Sequence, residues 1–316
     1  MANLKQSIKA WRDESSIVRA VYNTVRPIVD GLLLVVGIGI HALRGNTPKF
    51  AHMALTRMFA YSGGVVNDGL SAVISRLHRK YTLKEIHSNI LTEGTAVDFD
   101  AVQAQMLQDG YCVLSQRLSF EFCDHLYSMV SDRKFLVRGD TVDKNVHHLI
   151  PYERANPVAA QYILPRDEIT DLPAVQELMS DPVLITIAQN YLNAPPIFSG
   201  LSMDFSPAIN GQPDKDAAQE YHWDLERIRW IRFFIYFTDV SSTTGPHCFV
   251  KGTHRTHGIS RRFLDQGYGR FPDGDVVEEY GKDKVLEFVG VRGTIVAEDS
   301  RGFHKGKPPV EGERLL

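Results

Sequence analysis

Arg229-Trp-Ile-Arg-Phe-Phe-Ile-Tyr-Phe-Thr238 sets Ile231, Phe233, Ile235 and Phe237 against Trp230, Arg232, Phe234 and Tyr236. Alternation over ten residues reads as a β-strand, whose side chains leave the two faces in turn. Val285-Leu-Glu-Phe-Val289 and Gly293-Thr-Ile-Val-Ala297 read as further strands, with turns rich in Gly, Pro and Asp at 206–216, 243–246 and 265–275. Working back toward the N-terminus, Tyr111-Cys-Val-Leu114 is a short β-type run. Ser119 caps an amphipathic helix reaching Val130, and helices are expected over 173–179 and 182–192. Asp98 or Asp100 is positioned to cap a helix through Val102, Met106 and Leu107. Many short strands late in a chain, with helices before them, fit an α+β protein built on a β-sandwich or barrel.

Residues 4–91 read as mostly helical. Ile8, Trp11, Ile17, Val18, Val21, Tyr22 and Val25 recur at helical spacing up to Pro27, and later patterns run through Met53–Tyr61 and Leu70–Leu77. Thr92-Glu-Gly-Thr-Ala-Val-Asp-Phe-Asp100 is polar and turn-like, so a helical extension over 1–92 and a second domain over 93–316 are expected. The most apolar run, Gly31 to Leu43, spans thirteen residues and rises only about 20 Å as a helix, short of a hydrocarbon core of roughly 30 Å. A buried helical hairpin is its favoured reading, ahead of contact with a membrane surface.

The 316 residues are 43% apolar and 23% charged, with a formal net charge of −3. This composition excludes a disordered chain and carries no overall signature of nucleic-acid binding. The first 90 residues hold 12 Lys/Arg against 5 Asp/Glu, and the rest 23 against 33. The acidic remainder of the same chain is the first candidate to neutralise that basic third. Three scattered cysteines, Cys112, Cys123 and Cys248, suit a reducing compartment, so a cytoplasmic location is expected.

Tyr221-His222-Trp223-Asp224 puts an imidazole and a carboxylate at i and i+2, on one face of a strand. His304, after the strand ending near Ala297, is well placed as a third ligand. Two histidines and a carboxylate on one side of a metal leave the opposite positions open, as non-haem Fe(II) uses them. A His-x-Asp pair alone often arises by chance, and surface polar residues at a strand end are the competing reading. Arg314, ten residues beyond His304, offers a guanidinium able to grip a carboxylate with two parallel hydrogen bonds.

Taken in order, Asp109-Gly-Tyr-Cys-Val-Leu114, the helix start at Leu118-Ser119, His222-Trp-Asp224, Gly245-Pro246, Gly252-Thr253-His254, Asp299-Ser-Arg-Gly-Phe-His304 and Arg314 resemble the phytanoyl-CoA dioxygenase family of Fe(II)/2-oxoglutarate-dependent oxygenases. The resemblance covers roughly residues 100–316. It implies a double-stranded β-helix (jelly-roll) core, with His222, Asp224 and His304 as iron ligands and Arg314 binding 2-oxoglutarate. It also implies O2 as oxidant, succinate and CO2 as products, and hydroxylation of a small-molecule or lipid-like substrate. Asp224 argues against the halogenase variants, which lack that carboxylate. Three features depart from the family. The chain stops at Leu316, where the last strand usually continues past the arginine, which would leave a sheet edge exposed. Trp223 stands where a polar Gln is frequent. Lys305-Gly-Lys307 stands where a hydroxyl residue often assists the arginine.

Arg232 and Tyr221 are candidates to line the cosubstrate pocket beside Arg314. Core packing accounts equally well for Tyr221, Trp230 and Tyr236, whereas Arg232 is costly to bury alone and reads as an anion or substrate contact. His247, His254, His257 and Cys248 match no usual zinc spacing. His147-His148 adjoins a segment suited to cover the site. A cupin-like metal protein without 2-oxoglutarate, or a non-catalytic binding protein with a docking N-terminus, are the alternatives from other classes.

Overall fold

The computed structural model describes residues 16–92, 96–139, 149–209, 212–225 and 227–316. Ile8, Trp11 and the His147-His148 segment lie outside them. Within them the strands are β1 (Tyr111–Val113), β2 (Lys134–Arg138), β3 (Ile150–Pro151), β4 (Gln161–Ile163), β5 (Asp204–Pro207), β6 (Arg232–Ile235), β7 (His247–Val250), β8 (Val285–Phe288), β9 (Ile295–Glu298), β10 (His304–Gly306) and β11 (Glu313–Leu315). They pair antiparallel in three sheets, ordered β1-β9-β6, β10-β7-β8 and β11-β5-β4-β2-β3. A mixed helix and sheet protein results, as expected.

Ile295-Val-Ala-Glu298 is buried at every position, and its strand takes partners on both sides. That environment suits a continuous apolar run rather than an alternating one. The alternating stretch at 229–238 is a ladder strand only over Arg232–Ile235. Beyond it the backbone changes partner: Tyr236 N donates to Thr294 O at 3.0 Å, and Phe237 N to Leu315 O at 3.0 Å. One hydrogen bond thereby joins the β6 end of its sheet to β11 at the edge of another.

The helices are α1 (Ser16–Arg44), α2 (Lys49–Ser62), α3 (Val65–Leu77), α4 (Phe99–Asp109), α5 (Phe120–Val130), α6 (Arg166–Thr170), α7 (Pro173–Met179), α8 (Pro182–Leu192), α9 (Arg261–Leu264) and α10 (Asp273–Tyr280). Both expected N-caps form: Asp98 Oδ1 accepts from Ala101 N at 2.9 Å, and Ser119 Oγ from Phe122 N at 3.1 Å. Cys123, Leu126 and Val130 of α5, with Val183, Leu184 and Ile187 of α8, join Phe205, Ile295 and Leu315 in the larger core. A second, aromatic core gathers Tyr221, Trp223, Phe263, Phe271 and Phe303.

Three expectations for the N-terminal third are corrected. Helix α1 passes through Pro27, which removes one ladder bond without ending the helix. The helical reading up to residue 91 stops at Leu77, after which the chain is irregular until Leu91 bridges to Leu118. The apolar run is no buried hairpin: Leu32, Val35 and Leu43 are 65%, 68% and 87% exposed. Helix α1 packs chiefly on α2 through a narrow strip, where a Cβ at Gly37 would collide with Ala51. On the same strip, buried Asp30 receives Arg57 Nε at 2.8 Å and Nη2 at 2.6 Å.

One ionic network ties these helices to the strands. Arg301 Nη2 donates to Asp299 Oδ2 at 2.8 Å and Nη1 to Asp68 Oδ1 of α3 at 2.9 Å, while Tyr191 Oη donates to Asp299 Oδ2 at 2.5 Å. Burial raises the Asp299 carboxyl, but the Arg301 charge and hydrogen bonds outweigh it and leave the group below the usual carboxylate range. A depressed carboxyl contributes stability above its unfolded pKa and loses it as pH falls through its folded one. Arg301→Met, which strands the buried Asp299 charge, is expected to lower unfolding free energy by about 3 kcal/mol at neutral pH. The gap from wild type should narrow in acid, where the stranded carboxyl takes up a proton. Urea denaturation across pH checks both, and an unchanged midpoint at neutral pH would refute the role given to the pair.

Candidate metal centre

His222 and His304 face each other as a hydrogen-bonded antiparallel pair. His222 N donates to His304 O at 3.0 Å, and His304 N returns the bond to His222 O at 2.9 Å. Directly opposed residues of this kind carry neighbouring side chains, and the imidazole centroids stand 4.3 Å apart. Two residues on, Asp224 N donates to Ser300 O at 2.8 Å, which holds the carboxylate on the face of His222. Asp224 Oδ2 lies 3.6 Å from His304 Nε2, and one donor atom from each of the three residues falls within 4.8 Å of the others. This is the only such group of His, Cys, Asp and Glu among the described residues.

The ring chemistry suits a ligand set. His222 Nδ1 lies 2.9 Å from Glu220 O, and His304 Nδ1 lies 3.0 Å from Gly302 O. A carbonyl can only accept, so each Nδ1 carries the proton and each Nε2 keeps a lone pair for a metal. Burial holds both rings far below the ordinary histidine pKa, hence neutral. Asp224 Oδ2 is buried and accepts no hydrogen bond. Arg232 Nη2 stands 2.8 Å from it, close enough for charge pairing without the alignment of a hydrogen bond. Two neutral imidazoles and a carboxylate oxygen left without a hydrogen-bond donor fit a divalent metal on the open side of the three.

Arg314 of β11 lies buried directly opposite Ser206 of β5. Its Nη2 donates to Ser206 Oγ at 3.2 Å and its Nη1 to Gly245 O, while buried Nε has no partner. A Cβ at Gly306 would sit 3.2 Å from Nη2, so glycine there makes room for the guanidinium. Gly306 follows His304 by two residues on the same face of β10, a spacing of about 7 Å. The guanidinium therefore stands one strand repeat from the histidine pair, facing the same interior.

Tyr221 is not brought to this site. The alternation that unites His222 and Asp224 turns Tyr221, Trp223 and Leu225 to the other face, into the aromatic core. There Trp223 stacks on Phe271 at 5.5 Å, and Lys305 Nζ lies 5.0 Å above the Tyr221 ring. Lys305 is bound to Asp273 at 2.6 Å and Lys307 to Glu287 at 2.6 Å, leaving neither beside Arg314. His254 Nε2 meets Leu107 O at 3.2 Å, and His257 N donates to Gly63 O, so the histidine-rich segment forms structural contacts. Burial raises the Cys248 thiol to about 12, which leaves it unreactive.

Glu298 and Ser206 were not singled out from sequence. Glu298 is fully buried, 2.8 Å from His247 Nε2 and 3.8 Å from His304 Nδ1. Burial pushes its carboxyl well up and the His247 imidazole well down, so burial disfavours the charged form of both partners behind His304. His247 stacks on Phe234 with centroids 3.8 Å apart. A carboxylate closing the apolar run Ile295-Val-Ala-Glu298 was a readable signal for Glu298. Ser206 had none, since only strand pairing brings it to Arg314.

No family model and no curated protein matches the chain. Among solved structures, it is similar to EctD from S. alaskensis with bound Fe, at 17% identity over 75% of this chain and 77% of that one, with a TM-score of 0.47. It is also similar to EvdO2 from Micromonospora carbonacea var. aurantiaca complexed with 2-oxoglutarate, at 15% identity over 72% and 90%, TM-score 0.46. A third is HygX from Streptomyces hygroscopicus with nickel and 2-oxoglutarate bound, at 16% identity over 68% and 84%, TM-score 0.45.

Alanine at His222, Asp224 or His304, one at a time, is expected to weaken binding of Fe(II), or of Co(II) as its air-stable probe, by more than about 100-fold. Calorimetric titration with circular dichroism as the fold control measures this. A folded variant that still binds one metal at wild-type affinity loses that residue its place in the set.

Proposed function

We propose that the chain is an Fe(II)- and 2-oxoglutarate-dependent dioxygenase with a double-stranded β-helix core. It hydroxylates an unactivated C–H bond of a small-molecule or lipid-like substrate, with release of succinate and CO2. The observation that carries this reading is the pairing of one metal-ready His, Asp, His set with a buried guanidinium one strand repeat away. A dicarboxylate that chelates a metal at one end needs a cation about that far off for its other end.

Bound iron and 2-oxoglutarate supply the oxidative chemistry, and the protein's share is to bind, orient and exclude. His222, Asp224 and His304 hold the metal from one side. Their Nδ1 protons, given to Glu220 O and Gly302 O, fix both rings in the ligating tautomer. Arg314 takes the distal carboxylate, and Ser206 on the opposing strand is the hydroxyl partner that Lys305-Gly-Lys307 does not provide. Arg232 is 38% exposed where the three ligands are nearly closed off, which suits it to meet an anionic substrate or cosubstrate group beside Asp224. Buried Arg314 also favours this reading over a cupin-like protein, which has no use for a second buried cation facing the metal.

An anaerobic titration of the Fe(II)-loaded protein with 2-oxoglutarate, read by the visible metal-to-ligand charge-transfer band, tests the assignment. The band is expected for wild type, to need at least about 100-fold more 2-oxoglutarate in Arg314→Ala, and about tenfold more in Ser206→Ala, the cost of one hydrogen bond to a charged group. No band from folded, iron-loaded wild type would end the oxygenase reading in favour of a metal protein of another kind.

A further inference from the structure

Helix α1 has two opposite faces. Arg26, Asp30 and Gly37 mark the strip turned to α2, where Asp30 is buried against Arg57. Half a turn away stand Val25, Ile28, Leu32, Val35, Val36 and Leu43, all exposed and with no charged residue among them. That face extends from Val21 to Leu43, about 33 Å at 1.5 Å per residue. The most apolar 18 residues of the helix within Thr24–Arg44 have a mean hydropathy of 1.6 and are only 11% buried, so this is no core helix. An uninterrupted apolar stripe of this length is far beyond the scattered apolar residues of an ordinary surface.

The charge around the stripe is one-sided. Between residues 16 and 67 the single acidic residue is Asp30, which is buried and paired. Arg44 and Lys49 are exposed at the turn joining α1 to α2, and exposed His41 adjoins them. We propose that the α1–α2 pair is a membrane-surface anchor: it lies along an anionic phospholipid bilayer with the Val25–Leu43 stripe immersed and Arg44 and Lys49 against the headgroups. This corrects the sequence-based preference for a buried hairpin.

Lying in the surface, rather than crossing it, follows from the contacts. Helix α2 spans 14 residues, about 21 Å, and carries Arg57 to the buried Asp30. Crossing would take that ion pair, with Arg26, into hydrocarbon, whereas lying flat keeps all three on the protein side. The anchor is fastened to the strand-rich body: α3, joined to α2 by the Gly63-Gly64 turn, meets Arg301 through Asp68, and Asn67 Nδ2 donates to Ile228 O, four residues before Arg232. The proposal stands independently of the oxygenase reading.

Flotation of the full chain with phosphatidylcholine vesicles, with and without about a third phosphatidylserine, is the test. Wild type is expected to float with the anionic vesicles, several-fold less with the neutral ones, and several-fold less with the anionic ones at about 0.5 M salt, which screens the headgroup attraction. Leu32→Asp with Val36→Asp is expected to abolish flotation, and Arg44→Glu with Lys49→Glu to reduce it several-fold on anionic vesicles only. All four positions are exposed, so melting midpoints should stay at the wild-type value. His304→Ala is expected to float as wild type does, which separates this result from any failure of the metal site. No flotation of wild type, equal flotation with both vesicles, or flotation that survives Leu32→Asp with Val36→Asp would overturn the proposal. So would a wild-type dimer without vesicles that the same double substitution makes monomeric, since a second copy would then cover the stripe.

Discussion

The paired exchange of backbone hydrogen bonds between His222 and His304 is the contact on which the site depends. It needs residues 82 apart in the chain to arrive in register, and once they do, little freedom remains. The two imidazoles are forced side by side, Asp224 follows on the same face, and Gly306 and Arg314 fall one repeat further along. A one-residue slip of either segment would send His222 or His304 into the aromatic core, where Tyr221 and Phe303 now sit. Register is protected against that slip because the opposite face is fully packed.

That protection has an electrostatic counterpart. The interior between the sheets contains Glu298, His247, His222, Asp224 and Arg314, with half-buried Arg232 beside Asp224, an unusual load of ionisable groups for a buried space. Burial leaves His222, His247 and His304 uncharged and raises Glu298 toward its neutral form. The cost of keeping such groups dry is the cost of preorganisation: rings with a fixed tautomer and a guanidinium with an unused Nε need no rearrangement when a ligand arrives. The Asp299–Arg301–Asp68 network, by contrast, is closed on itself and serves to hold the helical N-terminal third on the strands.

The two faces of α1 state the same logic in another solvent. The strip that touches α2 is shaped by a glycine and an ion pair, and the opposite face carries only apolar side chains. Nothing in the described residues covers that face, and its apolar side chains beside Arg44 and Lys49 suit the lipid surface proposed above.

Local rules of the chain determined the parts that depend on local spacing. The caps at Asp98 and Ser119, the helices over 173–192, the strands at 111–113, 285–288 and 295–298, and the common face of His222 and Asp224 all follow from periods of 3.6 and 2 and from cap chemistry. The same period of 2 puts Tyr221 on the face opposite His222, a consequence that its assignment to the cosubstrate pocket overlooks. Pro27 was over-read as a stop, since one lost ladder bond is small against the packing of a 29-residue helix. Tertiary structure alone decided the rest: the Ser206 hydroxyl beside Arg314, the Glu298–His247 pair behind His304, the end of the β6 ladder at Ile235, and the exposure of the Val25–Leu43 stripe. Those depend on which distant segments meet. Hydropathy fixes how much apolar surface a helix carries, whereas only the packing of the whole chain decides whether that surface is covered.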